Sequence, residues 1–244
     1  MSESMVETSQ AVSSSEGVQT QTTLVLKQVT ESIIVVEYNL LPDTNPGENG
    51  NYVALWQNKD QIPWNLPPEK TQSVSGSTQH GTVTFLVDLA QNNYILGYAV
   101  GPELASPAQK YGNICSTYFI PEIPAASKLT EDGVVVKAGA DDSYFTNLTL
   151  GVVSGDSVTV KYGVPANSEP KTNSAWIGVF RGSAGYKITP EKAVPVNSTE
   201  DSGWLAINHK FVANKKYTLA YFMSGYNTTS PVQTRMAATL SFTA

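Results

Sequence analysis

Tyr52-Val53-Ala54-Leu55-Trp56 and Trp176-Ile177-Gly178-Val179-Phe180 are two apolar runs of matched size and polarity, 124 residues apart. They belong to a longer self-match. At the same offset Leu24 and Leu26 fall on Leu148 and Leu150, Val29 on Val153, Val36 on Val160 and Tyr38 on Tyr162. The offset becomes 122 where Glu69-Lys70 meets Glu191-Lys192, Val74 meets Val196 and Gly81 meets Gly203. It is 123 where Tyr94, Leu96 and Tyr98 meet Tyr217, Leu219 and Tyr221, and where Phe119 meets Phe242. Each change of offset falls in a turn-like stretch, where insertions cost little loop entropy. A chance match would also break inside the apolar runs, so the pattern is an internal duplication.

Two copies of one unit follow, residues 22–121 and 146–244, joined by 122–145. That joining segment holds Val134-Val135-Val136, which suits a strand of its own, and the acidic pairs Glu131-Asp132 and Asp141-Asp142. Residues 1–21 have no period of 2 or 3.6 and too little apolar content to repay the entropy of ordering, so they read as a flexible tail. Inside the first copy, runs rich in Val, Ile, Thr, Tyr and Phe predict strands at 23–29, 33–38, 52–57, 71–74, 82–87, 94–100 and 115–120. No stretch carries a helical apolar stripe for three turns. Seven short strands per hundred residues, with turn residues between them, predict an all-β chain of two tandem immunoglobulin-like antiparallel β-sandwiches. Cys115 is the only cysteine, so the inter-sheet disulfide common in such sandwiches cannot form; its expected counterpart is Ala238.

Composition removes several classes of function. The formal net charge is −6 and only two arginines occur, Arg181 and Arg235, so a basic surface for nucleic acid is missing. One cysteine and two histidines, His80 and His209, supply neither a zinc cluster nor a redox motif. No apolar run is long enough for a membrane-spanning helix. The start, Met1-Ser2-Glu3-Ser4-Met5-Val6-Glu7, is acidic where a secretory signal is basic and then apolar. The expected location is therefore cytoplasmic, or outside the cell by a signal-peptide-independent route.

The strand Trp176-Ile177-Gly178-Val179-Phe180, followed at the end of its copy by Lys216-Tyr217-Thr218-Leu219-Ala220-Tyr221-Phe222, resembles the SKICH-type immunoglobulin-like domains and the sandwiches attached to some phosphatases. That family has an aspartate before the tryptophan, where this chain has Ala175, and Asn51 in the first copy. The resemblance implies a non-catalytic module for localisation or partner binding.

The residues themselves give the same expectation of no enzyme. No Gly-x-Ser-x-Gly elbow, His-Glu-x-x-His or phosphate loop occurs. His80 lies in a turn, His209 at a strand end, and Cys115 in an apolar strand without a base beside it. Adjacent carboxylates such as Glu200-Asp201 point to opposite faces of a strand. Asp43, Asn45 and Glu48 have calcium-type oxygens, but Pro46 and the missing distal glutamate depart from an EF-hand, and a surface turn is the plainer reading. No cofactor is implied.

Binding is the remaining expectation. Trp64 and Asn65 sit in a proline-flanked loop that excludes a regular ladder position. Tyr186 and Lys187 occupy the comparable loop of the second copy. Tyr111, and Tyr226 with Asn227, belong to the long loops after the sixth strands, and Trp204 replaces Thr82 of the first copy at a strand start. Aromatic and amide side chains on loops of a rigid sheet suit sugar rings and hydroxyls. The expected partner is a carbohydrate or a protein surface ligand. The alternative is a structural, assembly or toxin-complex component, a homo-oligomer built through strand edges and aromatic patches.

Overall fold

The computed structural model describes residues 17–30, 32–57, 59–87, 92–122 and 143–244. In the first copy the strands are β2 (Thr23–Val29), β3 (Ile33–Asn39), β4 (Tyr52–Gln57), β5 (Lys70–Ser73), β6 (His80–Leu86), β7 (Tyr94–Ala99) and β8 (Ile114–Ile120). In the second they are β10 (Asn147–Val153), β11 (Ser157–Gly163), β12 (Trp176–Arg181), β13 (Lys192–Pro195), β14 (Ser202–Asn208), β15 (Lys216–Phe222) and β16 (Met236–Thr243), with one helical turn, α1 (Pro170–Asn173). β1 (Val18–Gln21) and β9 (Ser143–Phe145) precede the two copies. Val134-Val135-Val136 and the pairs Glu131-Asp132 and Asp141-Asp142 lie outside the described residues.

Each copy is a sandwich of a three-stranded and a larger sheet, ordered β2-β3-β6 against β5-β4-β7-β8-β9, and β10-β11-β14 against β1-β16-β15-β12-β13. Period-2 alternation builds the layers: on β6, Val83 and Phe85 are buried while Thr82, Thr84 and Leu86 face out. Ile34, Val36, Leu55 and Leu96 are fully buried, each contributing about 1.5–3 kcal/mol relative to exposure. Tyr38 packs on Tyr98 with ring centroids 5.5 Å apart, and Tyr162 on Tyr221 at 6.0 Å. The two inner cores join into one contiguous apolar cluster.

The duplication extends to single hydrogen bonds. Glu69 N donates to Leu55 O and Glu191 N to Val179 O; Val74 N donates to Asn51 O and Val196 N to Ala175 O; Leu40 N donates to Gln79 O and Val164 N to Asp201 O. One part of the sequence alignment is corrected. Tyr98 pairs with Ser116 and Ala99 with Ile114, leaving Cys115 as a bulge; Tyr221 pairs with Ala238 and Phe222 with Met236, leaving Ala237 as a bulge. The equivalents are therefore Cys115 with Ala237 and Ile120 with Phe242, at an offset of 122. The sequence pairing of Cys115 with Ala238 and Phe119 with Phe242 is one residue out, which on a strand exchanges the two faces.

A larger difference concerns the stretches read as tail and joining segment. β1 pairs antiparallel with β16 of the second copy, and β9 with β8 of the first. Each copy thus lends its leading strand to the other. The crossings are equivalent: Thr22 N donates to Ala237 O at 2.9 Å, and Thr146 N to Cys115 O at 2.8 Å. Val18–Gln21 show no local signal because their ladder partner is more than two hundred residues away. The exchange covers edges of β8 and β16 that would otherwise present open hydrogen-bonding groups.

Replacing Thr22 with proline removes the amide that meets the carbonyl of fully buried Ala237. An unpaired buried carbonyl costs about 1–3 kcal/mol, so the urea midpoint of Thr22→Pro falls by that equivalent. An unchanged midpoint would show that β1 does not hold the β16 edge.

Candidate functional site

Most of the aromatic residues expected to hold ligand are turned inward between the sandwiches. Trp64 and Tyr111 are buried with Tyr52, Trp56 and Ile114 on the outer face of the larger first sheet. The Trp64 indole N–H donates across the interface to Ala166 O at 3.0 Å, and Tyr111 meets Trp56 edge to face at 5.3 Å. Around them Gln109 Nε2 donates to Asn167 O, and Asn167 Nδ2 to Gln61 Oε1. On the second copy the outer sheet face holds Trp176 stacked on Phe222 at 3.8 Å. Leu41 of the first copy inserts against them, with half-buried Tyr186 and Tyr226 packed at the margin. The loops that follow the second strand of each copy therefore help to cap the other copy's outer sheet face.

The structure brings Trp64 and Tyr111 together in one cluster and Tyr186 and Tyr226 together in another. Asn65, Lys187 and Asn227 are exposed, and Asn227 Oδ1 accepts from Thr229 N, Thr229 Oγ1 and Ser230 N in a local turn. Trp204 stands apart, 62% exposed on the outer face of β14. Asp43, Asn45 and Glu48 form a turn: Asn45 Nδ2 donates to Glu48 Oε2 at 2.9 Å, and Asp43 has φ 63°. No group of three or more His, Cys, Asp or Glu gathers among the described residues. Cys115 is fully buried, and burial pushes its thiol far above the ordinary value. His209 Nε2 lies 3.0 Å from Glu191 Oε2, and Arg181 Nε 2.9 Å from Glu191 Oε1, on the surface of the second sandwich.

Capping is incomplete at one side, where a cleft of about 390 Å³ opens between the copies. Its floor is the outer face of β7 and β8, through Ile95, Thr117 and Phe119. Asp60 and Gln61 close one end, Ser143 and Tyr144 of the exchanged strand β9 form a wall, and residues 164–166 with Asp201 and Ser202 of the second copy complete it. Tyr144 is 37% exposed. Burial raises its phenol above the ordinary value, an Asn147 hydrogen bond opposes this, and the Asp201 carboxylate adds to the rise. It is thus a neutral hydroxyl at physiological pH.

Sequence reading missed Tyr144 and Ser202 as site residues, because the cleft exists only where two copies meet. One signal was available: at the 124 offset Tyr144 falls on Thr20, an aromatic without an aromatic counterpart ahead of the first copy.

No protein-family profile matches the sequence, and no curated protein matches it. Among solved structures the chain is similar to a segment of two fibronectin type-III domains from chicken tenascin, at 12% identity over 91% of this chain and 97% of that one, with a TM-score of 0.26. It is also similar to a DUF3823 family protein from Bacteroides uniformis, at 14% identity over 90% and 96% of the two chains, with a TM-score of 0.28. Similarity at that level bears on neither ligand nor partner.

The tyrosines packed in and between the sandwiches set an alkaline limit on the fold. Burial pushes Tyr186 up to about 12 from 10.0, against a Thr44 hydrogen bond, and also raises Tyr52, Tyr98 and Tyr221 well above that ordinary value. Because the folded values exceed the unfolded one, the stabilisation is complete below pH 10 and is lost as pH rises toward and through the folded values. Ultraviolet titration should show a phenolate step above the ordinary tyrosine value that coincides with loss of near-ultraviolet circular dichroism. A single step near the ordinary tyrosine value with the fold intact would contradict this.

Proposed function

We propose that the protein is a non-enzymatic binding protein whose ligand is a neutral carbohydrate held in the cleft between its sandwiches. The observation that carries this reading is the lining: the aromatic rings Phe119 and Tyr144 stand among Thr117, Ser143, Ser202, Gln61, Asp60 and Asp201. Rings offer flat apolar faces to a sugar, while carboxylates and amide oxygens accept from its hydroxyls. The same carboxylates, in a chain of net charge −6, repel phosphates and other anions. The volume lies within the range of small-molecule sites. The resemblance of Trp176–Phe180 and Lys216–Phe222 to SKICH-type strands also points to a module that binds.

A second reading is self-assembly, favoured by open sheet edges such as β6 and β14. β6 and β14 end their sheets, and neither contains lysine, arginine or proline. Such strands invite pairing with another chain. β5 and β13, by contrast, are short and begin with lysine. A monomer across the micromolar range by light scattering would remove this reading; growth with concentration would support it.

For the first reading, an array of neutral glycans probed with the full chain should retain at least one class. Tyr144→Ala and Asp201→Asn should each weaken retention about tenfold or more, equivalent to about 1.4 kcal/mol, with far-ultraviolet circular dichroism unchanged. No glycan retained, or retention indifferent to both substitutions, would sink the carbohydrate site.

A further inference from the structure

The cleft does not end at Ser202. Trp204 is two residues further along the same outer face of β14, roughly 7 Å on at the rise of a strand. Its indole lies across the sheet over Gly151 of β10, where a Cβ would come within 2.7 Å of the ring. Tyr144 also meets a glycine, through its tip rather than its ring: a Cβ at Gly163 of β11 would come within 2.7 Å of its hydroxyl. Gly163 pairs with Ser202 and Lys161 with Trp204. Two aromatics therefore lie against glycines along one sheet face, the first lining the cleft and the second 62% exposed beyond it.

The duplicated first sandwich serves as an internal control. At the positions of Tyr144, Gly151, Gly163 and Trp204 it has Thr20, Lys27, Asn39 and Thr82. Its equivalent face carries instead the ion pair of Lys27 with Glu37, at 3.3 Å. The large residues and the small residues beneath them thus occur together in the second copy. Packing of the sandwich does not require them, since the first copy is built without them. At 62% exposed, the indole presents much of its surface to solvent, and Lys161 and Ser202 on the paired strands supply polar groups nearby.

We infer that the ligand is an oligosaccharide rather than a single sugar, with one ring in the cleft beside Tyr144 and a later ring stacked on Trp204; this rests on the cleft reading above. The full chain reports on the contact directly. Trp56, Trp64 and Trp176 are buried, so iodide quenching of tryptophan emission comes mainly from Trp204. The probes are the cello-, malto- and chito-oligosaccharide series, each from its monosaccharide to its longest soluble member.

In at least one series, affinity should rise about tenfold or more with chain length, and the longer members should shield Trp204 from iodide. Trp204→Ala should abolish the length dependence while binding of the shortest member that binds stays within about twofold, and Trp204→Phe should restore part of it. Binding without length dependence, or with unchanged quenching, overturns the oligosaccharide proposal and leaves the cleft reading standing. Failure of every member of all three series removes both. Shielding of Trp204 that grows with protein concentration in the absence of sugar would overturn the proposal in favour of a second copy on this face.

Discussion

The main-chain carbonyls of Cys115 and Ala237 occupy equivalent bulges at the inner ends of β8 and β16, and both residues are fully buried. Buried carbonyls need donors, and each accepts from a threonine amide at the point where the chain passes from one sandwich to the other, Thr22 for Ala237 and Thr146 for Cys115, with the Thr146 hydroxyl as a second donor. Once those bonds form, β9 and β1 are fixed against the neighbouring sandwich. The relative placement of the copies follows from this exchange. With the copies so placed, Leu41 reaches the Trp176 and Phe222 stack, and Trp64 reaches the Ala166 carbonyl.

That placement gives many loop aromatics a structural task. Trp64, Tyr111, Tyr186 and Tyr226 have the composition of a binding surface, but they pack at the junction of two domains. Aromatic side chains bury large areas at little entropic cost and use their polar ends for a single directed hydrogen bond, as Trp64 does. Tyr144 and Trp204 are different. They remain partly or largely exposed beside polar groups; the proposed binding site is built around Tyr144, and its proposed extension rests on Trp204.

The two copies share their strands and layers while differing at one surface. Tyr38 and Tyr162, or Tyr98 and Tyr221, are equivalent because the interior of a sandwich tolerates little change in volume. The solvent-facing sides of the three-stranded sheets carry no such constraint. The exchange of Thr82 for Trp204 and of Lys27 for Gly151 alters the chemistry of a surface without altering the core beneath it.

Much of the fold was legible in the sequence. Alternation within β3, β6 and their counterparts is a period-2 signal carried by adjacent residues, and the duplication repeats that signal. Legibility stopped where contacts became remote or the period broke. The bulges at Cys115 and Ala237 shifted the alignment by one residue. Val18–Gln21 looked like tail because their partners lie at the far end of the chain. Tyr144 was hidden in what looked like a joining segment, and the proline-flanked loop of Trp64 gives no indication of what covers it. The sequence alone determined strands, layers and repetition, because side-chain alternation along a strand is local. The tertiary structure decided which aromatics were buried and where a cleft remained, because both depend on two sandwiches meeting through strands they exchange.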